Sequence, residues 1–271
     1  MENRVFGFIG CGNMGGALAK AAAQKLPGKN ILLANRTPEK AEALAGQLNA
    51  VVVDNKTAAE KSDYLFLGVK PQMMADMLMD IREALLKREK PCVLVTMAAG
   101  LTMKTIREMA GVDFPVIRIM PNTPSAIGQG MILCCSDGAA EEQVTCFADI
   151  MSGAGILDFI DEKLIDAGSA VSGCGPAFAC LLMEALADGG VACGLPRAKA
   201  NLYAAQMLMG TAALALETKE NFGAMKDAVC SPAGSTIQGV RALEAGGFRS
   251  AAFEAVIKAY ERTLELGGHK K

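Results

Sequence analysis

The chain has 271 residues, 51% of them apolar and 5% aromatic, with no tryptophan and a formal net charge of −2. That is enough apolar material for one large core or two modest ones. The near-neutral charge, with no basic block, argues against nucleic acid or an anionic membrane surface as a partner.

No apolar run reaches the ~20 residues a membrane-spanning helix needs. The acidic second residue, followed directly by a strand-like run, predicts no secretory leader. The nine cysteines, at positions 11, 92, 134, 135, 146, 174, 180, 193 and 230, contain no C-x-x-C. Most lie in apolar segments and read as reduced thiols of a cytoplasmic protein, used as small hydrophobes. The single histidine is His269, so a histidine base, a histidine-led triad or a His-bearing zinc site is not expected, and no metal is predicted.

In chain order, an apolar β-prone run at 5–9 enters the cluster Gly10-Cys11-Gly12-Asn13-Met14-Gly15, and a small-residue helical pattern leaves it. This strand, turn and helix order is what the dinucleotide fingerprint G-x-G-x-x-G requires. Gly10 allows the tight turn, Gly12 lets backbone approach a pyrophosphate, and Gly15 lets the helix lie close to the strand. The pyrophosphate is expected on the unpaired N–H groups at the helix start. A strand at 31–34 follows, and Thr37-Pro38 opens a helix to about Leu48. Strands are predicted at 51–53, 64–69, 92–96 and 116–120, with helices near 56–61, 72–87 and 102–110 between them. Repeated βα units indicate a doubly wound parallel sheet, a Rossmann-type α/β domain over residues 1–160. Runs at 131–135 and 155–159, around a helix at 140–152, extend the sheet at one edge.

Beyond residue 160 strand-like runs stop. Helices are predicted at 176–188, 196–218, 236–244 and 248–266, with Leu202, Met207, Leu208, Met209, Leu214 and Leu216 spread over more than one face. A surface helix carries one apolar stripe. Helices apolar all round suggest that a second copy covers the remaining faces, so residues 161–271 read as an all-α dimerisation domain, a monomeric bundle being the alternative.

An NAD site places an acid at the end of the second strand. Here that corner is Ala34-Asn35-Arg36-Thr37. Arg36 offers a planar fork for a 2′-phosphate, and Asn35 and Thr37 can hydrogen-bond, so NADP is preferred over NAD; Arg36 otherwise reads as a solvated loop charge, and the corner would still not favour NAD. Ligands of such sheets bind beyond the carboxyl strand ends, which here carry Val69-Lys70-Pro71, Met97-Ala98-Ala99 and Pro121-Asn122-Thr123-Pro124. Asn122 and Thr123 are candidates for the nicotinamide amide or the substrate pocket, and equally for turn residues bonded to their own backbone. Lys70 reads equally as a solvent-facing cation. In the helical half, Cys230-Ser231-Pro232-Ala233-Gly234-Ser235-Thr236 leads straight into a helix. Its first amides, with three hydroxyls and a glycine, suit a carboxylate.

These segments, together with Phe8-Ile9-Gly10, Lys70-Pro71-Gln72 and Ser172-Gly173-Cys174-Gly175-Pro176-Ala177-Phe178, resemble the pyrroline-5-carboxylate reductase family over essentially the whole chain. The resemblance implies reduction of Δ1-pyrroline-5-carboxylate to L-proline with NADPH, NADH being the alternative donor. It implies that Ser231, Gly234, Ser235 and Thr236 bind the substrate carboxylate, with Thr236 also the catalytic residue near the imine nitrogen. It implies cofactor binding by Gly10, Cys11, Gly12, Asn13, Met14 and Gly15, by Asn35, Arg36, Thr37 and Asn55 at the adenosine end, and by Val69, Lys70, Pro71, Ala98 and Asn122 on the nicotinamide side. A helix-exchanged homodimer, assembled further into a decamer in many members, is also implied. Cys174 and Phe178 stand where many members carry Ser and Tyr.

The chemistry agrees with what is missing. Ketone reduction creates an alkoxide and normally uses a Lys, His or Tyr donor, yet Ser172 to Gly194 contains no lysine or histidine. A cyclic imine can bind already protonated. The alternatives are a related NADP-dependent imine or keto-acid reductase, or a non-catalytic nucleotide-binding protein.

Overall fold

The structure, a computed structural model, describes residues 4–267; His269 lies outside them. The first half alternates strand and helix: β1 (Phe6–Ile9), α1 (Asn13–Ala22), β2 (Ile31–Ala34), α2 (Pro38–Leu48), β3 (Val51–Val52), α3 (Asn55–Lys61) and β4 (Tyr64–Leu67). Next come α4 (Met74–Leu86), β5 (Val93–Thr96), α5 (Met103–Ala110), β6 (Val116–Met120), β7 (Gly130–Asp137), α6 (Glu141–Met151) and β8 (Gly155–Phe159). Eight strands form one sheet in the order β3-β2-β1-β4-β5-β6-β7-β8. Strand order reverses between β1 and β4, so their carboxyl ends bound a switch-point crevice.

Alternating side chains supply the core on both faces of the sheet. Phe6, Phe8, Tyr64, Phe66, Val93 and Val95 pack with Leu18, Leu44 and Phe147. Ile9, Leu65, Leu67 and Leu94 pack instead with Leu78, Ile81 and Ile106. Across adjacent strands, the rings of Phe8 and Phe66 stack with centroids 4.3 Å apart and those of Phe6 and Tyr64 are 4.6 Å apart. Such aromatic pairs add about 0.5–1.5 kcal/mol each beyond their area burial. The Tyr64 hydroxyl donates to the Gln143 carbonyl at 2.8 Å, so the ring's one polar group is satisfied.

The sheet is parallel throughout β1–β6 but β7 runs antiparallel to β6, with Arg118 opposite Cys135. The parallel pattern expected from the sequence therefore changes at this edge. The cause is the short link at 121–129, a tight turn around Thr123–Ile127. It reverses the chain but is too short for the crossover of a dozen or more residues that a parallel return needs. Between β7 and β8, α6 provides such a crossover and the pairing is parallel again.

The second half contains α7 (Glu162–Ser172), α8 (Gly175–Ala192), α9 (Arg197–Thr218), α10 (Phe222–Ala228), α11 (Ser235–Ala245) and α12 (Phe248–Leu266). Neither α7 nor α10 was expected from the sequence. In α7 the Gly168-Ser169 pair blurs the helical period. The chain divides into two compact units, one ending at Cys174 and resuming at Ala259, the other Gly175–Lys258.

Within the second unit only Ala187, Ala200 and Ala204 form a buried cluster. Leu181, Leu202, Met209, Leu216 and Phe222 are 61–78% exposed. The stretch Glu162–Ala192 has the length and composition to cross a membrane, with 11% of its apolar window buried in the chain. Its serines, glycines and proline had hidden it from a count of unbroken apolar runs.

Helix α1 sits on β1 through a backbone contact, because a Cβ at Gly15 would lie 2.0 Å from the Gly10 carbonyl oxygen. At Gly16, one position further, the same atom meets nothing closer than 3.7 Å. Urea unfolding at fixed protein concentration should show Gly15→Ala destabilised by about 1–3 kcal/mol. Gly16→Ala should be neutral or stabilised by a few tenths.

Candidate active site

The glycine turn takes the form the fingerprint demands. Gly10 has φ +101, in a region closed to most side chains, and its N–H donates to the Ala34 carbonyl of β2 at 2.8 Å. A Cβ at Gly10 would also strike the Gly68 carbonyl at 2.4 Å. Gly12 differs, since a Cβ there would meet no protein atom within 4 Å. The backbone at Gly12 therefore faces open space, which leaves room for a pyrophosphate to approach.

Gly12 is also the N-cap of α1, with no side-chain cap and no acid in the first turn. The amides of Asn13, Met14 and Gly15 have no acceptor among the described residues. They form the positive end of a helix open to an anion.

A cleft of about 850 Å³ opens beside this turn, lined by Gly10, Gly12, Asn35, Arg36, Thr37, Asn55, Val69 and Lys70 of the predicted set. Cys11, Asn13, Met14, Gly15, Pro71, Ala98 and Asn122 are not among its lining residues. Asn35 joins the turn to the β2 corner: its Oδ1 accepts from the Cys11 N–H at 2.9 Å and its Nδ2 donates to the Thr37 carbonyl at 2.8 Å. Asn35 thereby fixes the loop bearing Arg36. The Thr37 hydroxyl makes no capping bond to α2, and Arg36 is exposed without an ion-pair partner among the described residues.

Sequence reasoning missed ten further residues of this cleft, among them Lys40, Lys56 and Gly68. Lys40 stands four positions after Arg36 in the first turn of α2, where a second cation beside free amides is an available signal. Gly68 was visible as the glycine ending the apolar β4 run. A Cβ there would lie 2.7 Å from the Gly10 carbonyl oxygen, so the crevice is narrow enough to require glycine on both walls.

Ala98 and Asn122 lie just past the carboxyl ends of β5 and β6, further along the same edge of the sheet. Ala98 is buried. The Asn122 side chain is engaged within the chain, accepting from the Met131 N–H at 3.0 Å and donating to the Ser172 carbonyl at 2.9 Å. Its amide keeps one N–H and one lone pair for another partner.

In the second unit, Ser231-Pro232-Ala233-Gly234 turns into α11. Ala233 is held at φ 58, a strained conformation for a residue with a Cβ, and the Gly234 N–H donates to the Ser231 carbonyl at 3.0 Å. Gly234 is the N-cap, without a side-chain cap or a first-turn acid. Ser231, Ser235 and Thr236 are exposed, and their hydroxyls make no hydrogen bond among the described residues. Three hydroxyls and the first-turn amides are left to bind an anion.

A family model described as pyrroline-5-carboxylate reductase dimerisation matches residues 162–266, and one described as NADP oxidoreductase, coenzyme F420-dependent, matches residues 5–100. The chain is 39% identical to the pyrroline-5-carboxylate reductase of Escherichia coli (strain K12) over 271 aligned positions, covering 98% of this chain and 99% of that one. It is 38% identical to that of Pisum sativum, covering 98% and 97%. The chain belongs to the pyrroline-5-carboxylate reductase family. The crystal structure of the Plasmodium falciparum pyrroline carboxylate reductase with NADP bound superposes with a TM-score of 0.88 at 29% identity, covering 98% of this chain and 99% of that one. The family's dimerisation segment takes in the helices whose apolar side chains stay exposed in the single chain, and it marks this chain as one that oligomerises.

All nine cysteines of this family member are free thiols. Cys11 stands in the fingerprint, yet its sulfur is buried 3.6 Å from the Ala34 carbonyl oxygen, and burial pushes the thiol up to about 11. Iodoacetamide at pH 8 should therefore leave Cys11 unmodified by peptide mass mapping while an unhindered thiol reacts fully. Its labelling rate should climb as pH rises toward the thiol's own range.

Proposed function

We propose that this chain reduces Δ1-pyrroline-5-carboxylate to L-proline with NADPH, the last step of proline biosynthesis, NADH being the alternative donor. The observation that carries the reading is the start of α11, where three hydroxyls and the first-turn amides remain unengaged. A compact anion fits there, in a chain whose other unit carries an open dinucleotide turn. The amides of Asn13, Met14 and Gly15 hold the pyrophosphate. Arg36, with Lys40 nearby, holds the 2′-phosphate, and Asn55 and Thr37 flank the adenosine. Val69, Lys70, Pro71, Ala98 and Asn122 form the nicotinamide side, and Cys11 serves through its backbone, as its side chain is buried.

Bound at this turn, the cofactor supplies hydride. Ser231, Gly234, Ser235 and Thr236 fix the substrate carboxylate, and the Thr236 hydroxyl orients the ring nitrogen. The imine binds protonated, so no side chain has to act as a strong acid. Most of the acceleration then comes from holding the reacting groups in place. A keto-acid reductase would need a positioned donor in the first helix of the second unit, and α8 contains neither lysine nor histidine.

The helical unit forms a homodimer, assembled further into a decamer. The exposed Leu202, Met209 and Leu216 support this, since so much apolar surface on a single chain marks an interaction face. Nine unpaired cysteines support a reducing, cytoplasmic setting.

The decisive assay is NADPH consumption with pyrroline-5-carboxylate, with 2-keto acids and with no substrate. Activity confined to the first upholds the reading, whereas turnover of keto acids alone overturns it. Thr236→Ala should lower kcat/KM for the imine by about 10–100-fold with NADPH affinity near wild type. Arg36→Glu should raise the KM for NADPH about tenfold or more, the KM for NADH changing much less. Equal changes for the two cofactors would remove Arg36 from the 2′-phosphate site.

A further inference from the structure

Arg118 is the largest fully buried side chain among the described residues, 1% exposed in the middle of β6. Its Nη2 lies 2.5 Å from Asp166 Oδ1 and its Nη1 3.5 Å from Glu162 Oε1, both on α7, while Nε has no partner. Packing alone does not call for this arrangement, because apolar side chains of the same volume hold a helix to a strand without desolvating three charges. A charge cluster does something packing cannot, fixing the helix in one register along its axis.

Two further contacts give that register a consequence. Glu162 Oε1 also accepts the Met103 N–H at 2.7 Å, tying the first turn of α5, and so the loop that starts at Ala98, to α7. At the other end of α7, the Ser172 carbonyl accepts from Asn122 Nδ2. The loops carrying Ala98 and Asn122 are thus both anchored to one helix, and Arg118 sets where that helix lies.

We propose that Arg118, Asp166 and Glu162 form a positioning cluster for the nicotinamide end of the cofactor cleft, independent of its adenosine end. The inference rests on the reading of Ala98 and Asn122 as nicotinamide-side residues. Asn35 bonds to Cys11 and Thr37 and so holds the loop that carries Arg36, and among the described residues no hydrogen bond or ion pair joins that loop to the cluster.

The test compares equilibrium binding of NADPH, followed by its own fluorescence, with binding of 2′,5′-ADP, which engages only the adenosine end, in the full oligomeric protein. Asp166→Asn should weaken NADPH binding about tenfold and leave 2′,5′-ADP within twofold of wild type. Asp166→Glu should recover most of the loss. Arg118→Met combined with Asp166→Leu keeps the packing without the charges, so it tests the same point should Asp166→Asn fail to fold. It should show the same split between the two ligands. Equal weakening of both ligands, or normal NADPH binding in the folded double variant, overturns the proposal. Neither readout needs turnover, so a wild type that binds NADPH but leaves pyrroline-5-carboxylate unreduced would count against the proposed reaction and not against this cluster.

Discussion

The N-terminal unit depends on a place where backbone meets backbone with no side chain between. Gly10 and Gly68 close the crevice between β1 and β4, and Gly15 lays α1 directly on the Gly10 carbonyl. Any Cβ at these positions would push the helix off the strand or part the two strands. The consequence reaches beyond packing, since the amides of the first turn of α1 are aimed by that same contact. Gly12 completes the arrangement from outside, its bare Cα facing open space where a phosphate can approach. One set of glycines thus fixes both the fold at the switch point and the shape of the anion site, and neither can change alone.

Much of this was legible in the sequence because each signal was local. A β-prone run, three glycines at fixed spacing and a small-residue helix lie within twenty positions, so the periods that define strand and helix could be read directly. The antiparallel turn of β7 was not legible from the strand runs themselves. It follows from the length of the link between β6 and β7, and the run at 131–135 looks the same in either direction. Arg118 was hidden for a different reason. In Val116-Ile117-Arg118-Ile119-Met120 it reads as a solvent-facing break in an apolar run, and only α7, which the periodicity missed, supplies the carboxylates that make its burial tolerable.

The site divided along the same line. Gly10, Gly12 and Arg36 were read from motif and strand order, which are sequence-local, whereas Asn55 came only from the family resemblance; all four line one cleft. That Asn35 reaches Cys11 and Asn122 reaches Ser172 could not be read, because those partners come from distant segments. Both asparagines act at least in part as clasps that hold a loop still. An asparagine beside a cofactor loop has the same sequence appearance whether it touches the ligand or fixes the backbone that does.

The way the helices begin bears on which ends can take an anion. The N-caps Asp54, Thr102 and Asn221 each accept a backbone N–H from the first turn of the helix they open, a contact that contributes about 1 kcal/mol. Among the described N-caps of the α-helices, only those of α1 and α11 are glycine, and neither helix has a first-turn acid to complement its dipole. At α11 the omission is sharper still, because Ser231, Ser235 and Thr236 lie beside the cap position and none of them fills it. Leaving two helix starts unsatisfied costs stability in the free protein, and a bound anion restores it by mass action. On the proposed reading, ligand binding and folding would be linked in each unit separately, through the dinucleotide at α1 and the carboxylate at α11. Each end is preorganised before its ligand arrives, and in a reaction that needs no strong acid such placement is the main thing a protein has to supply.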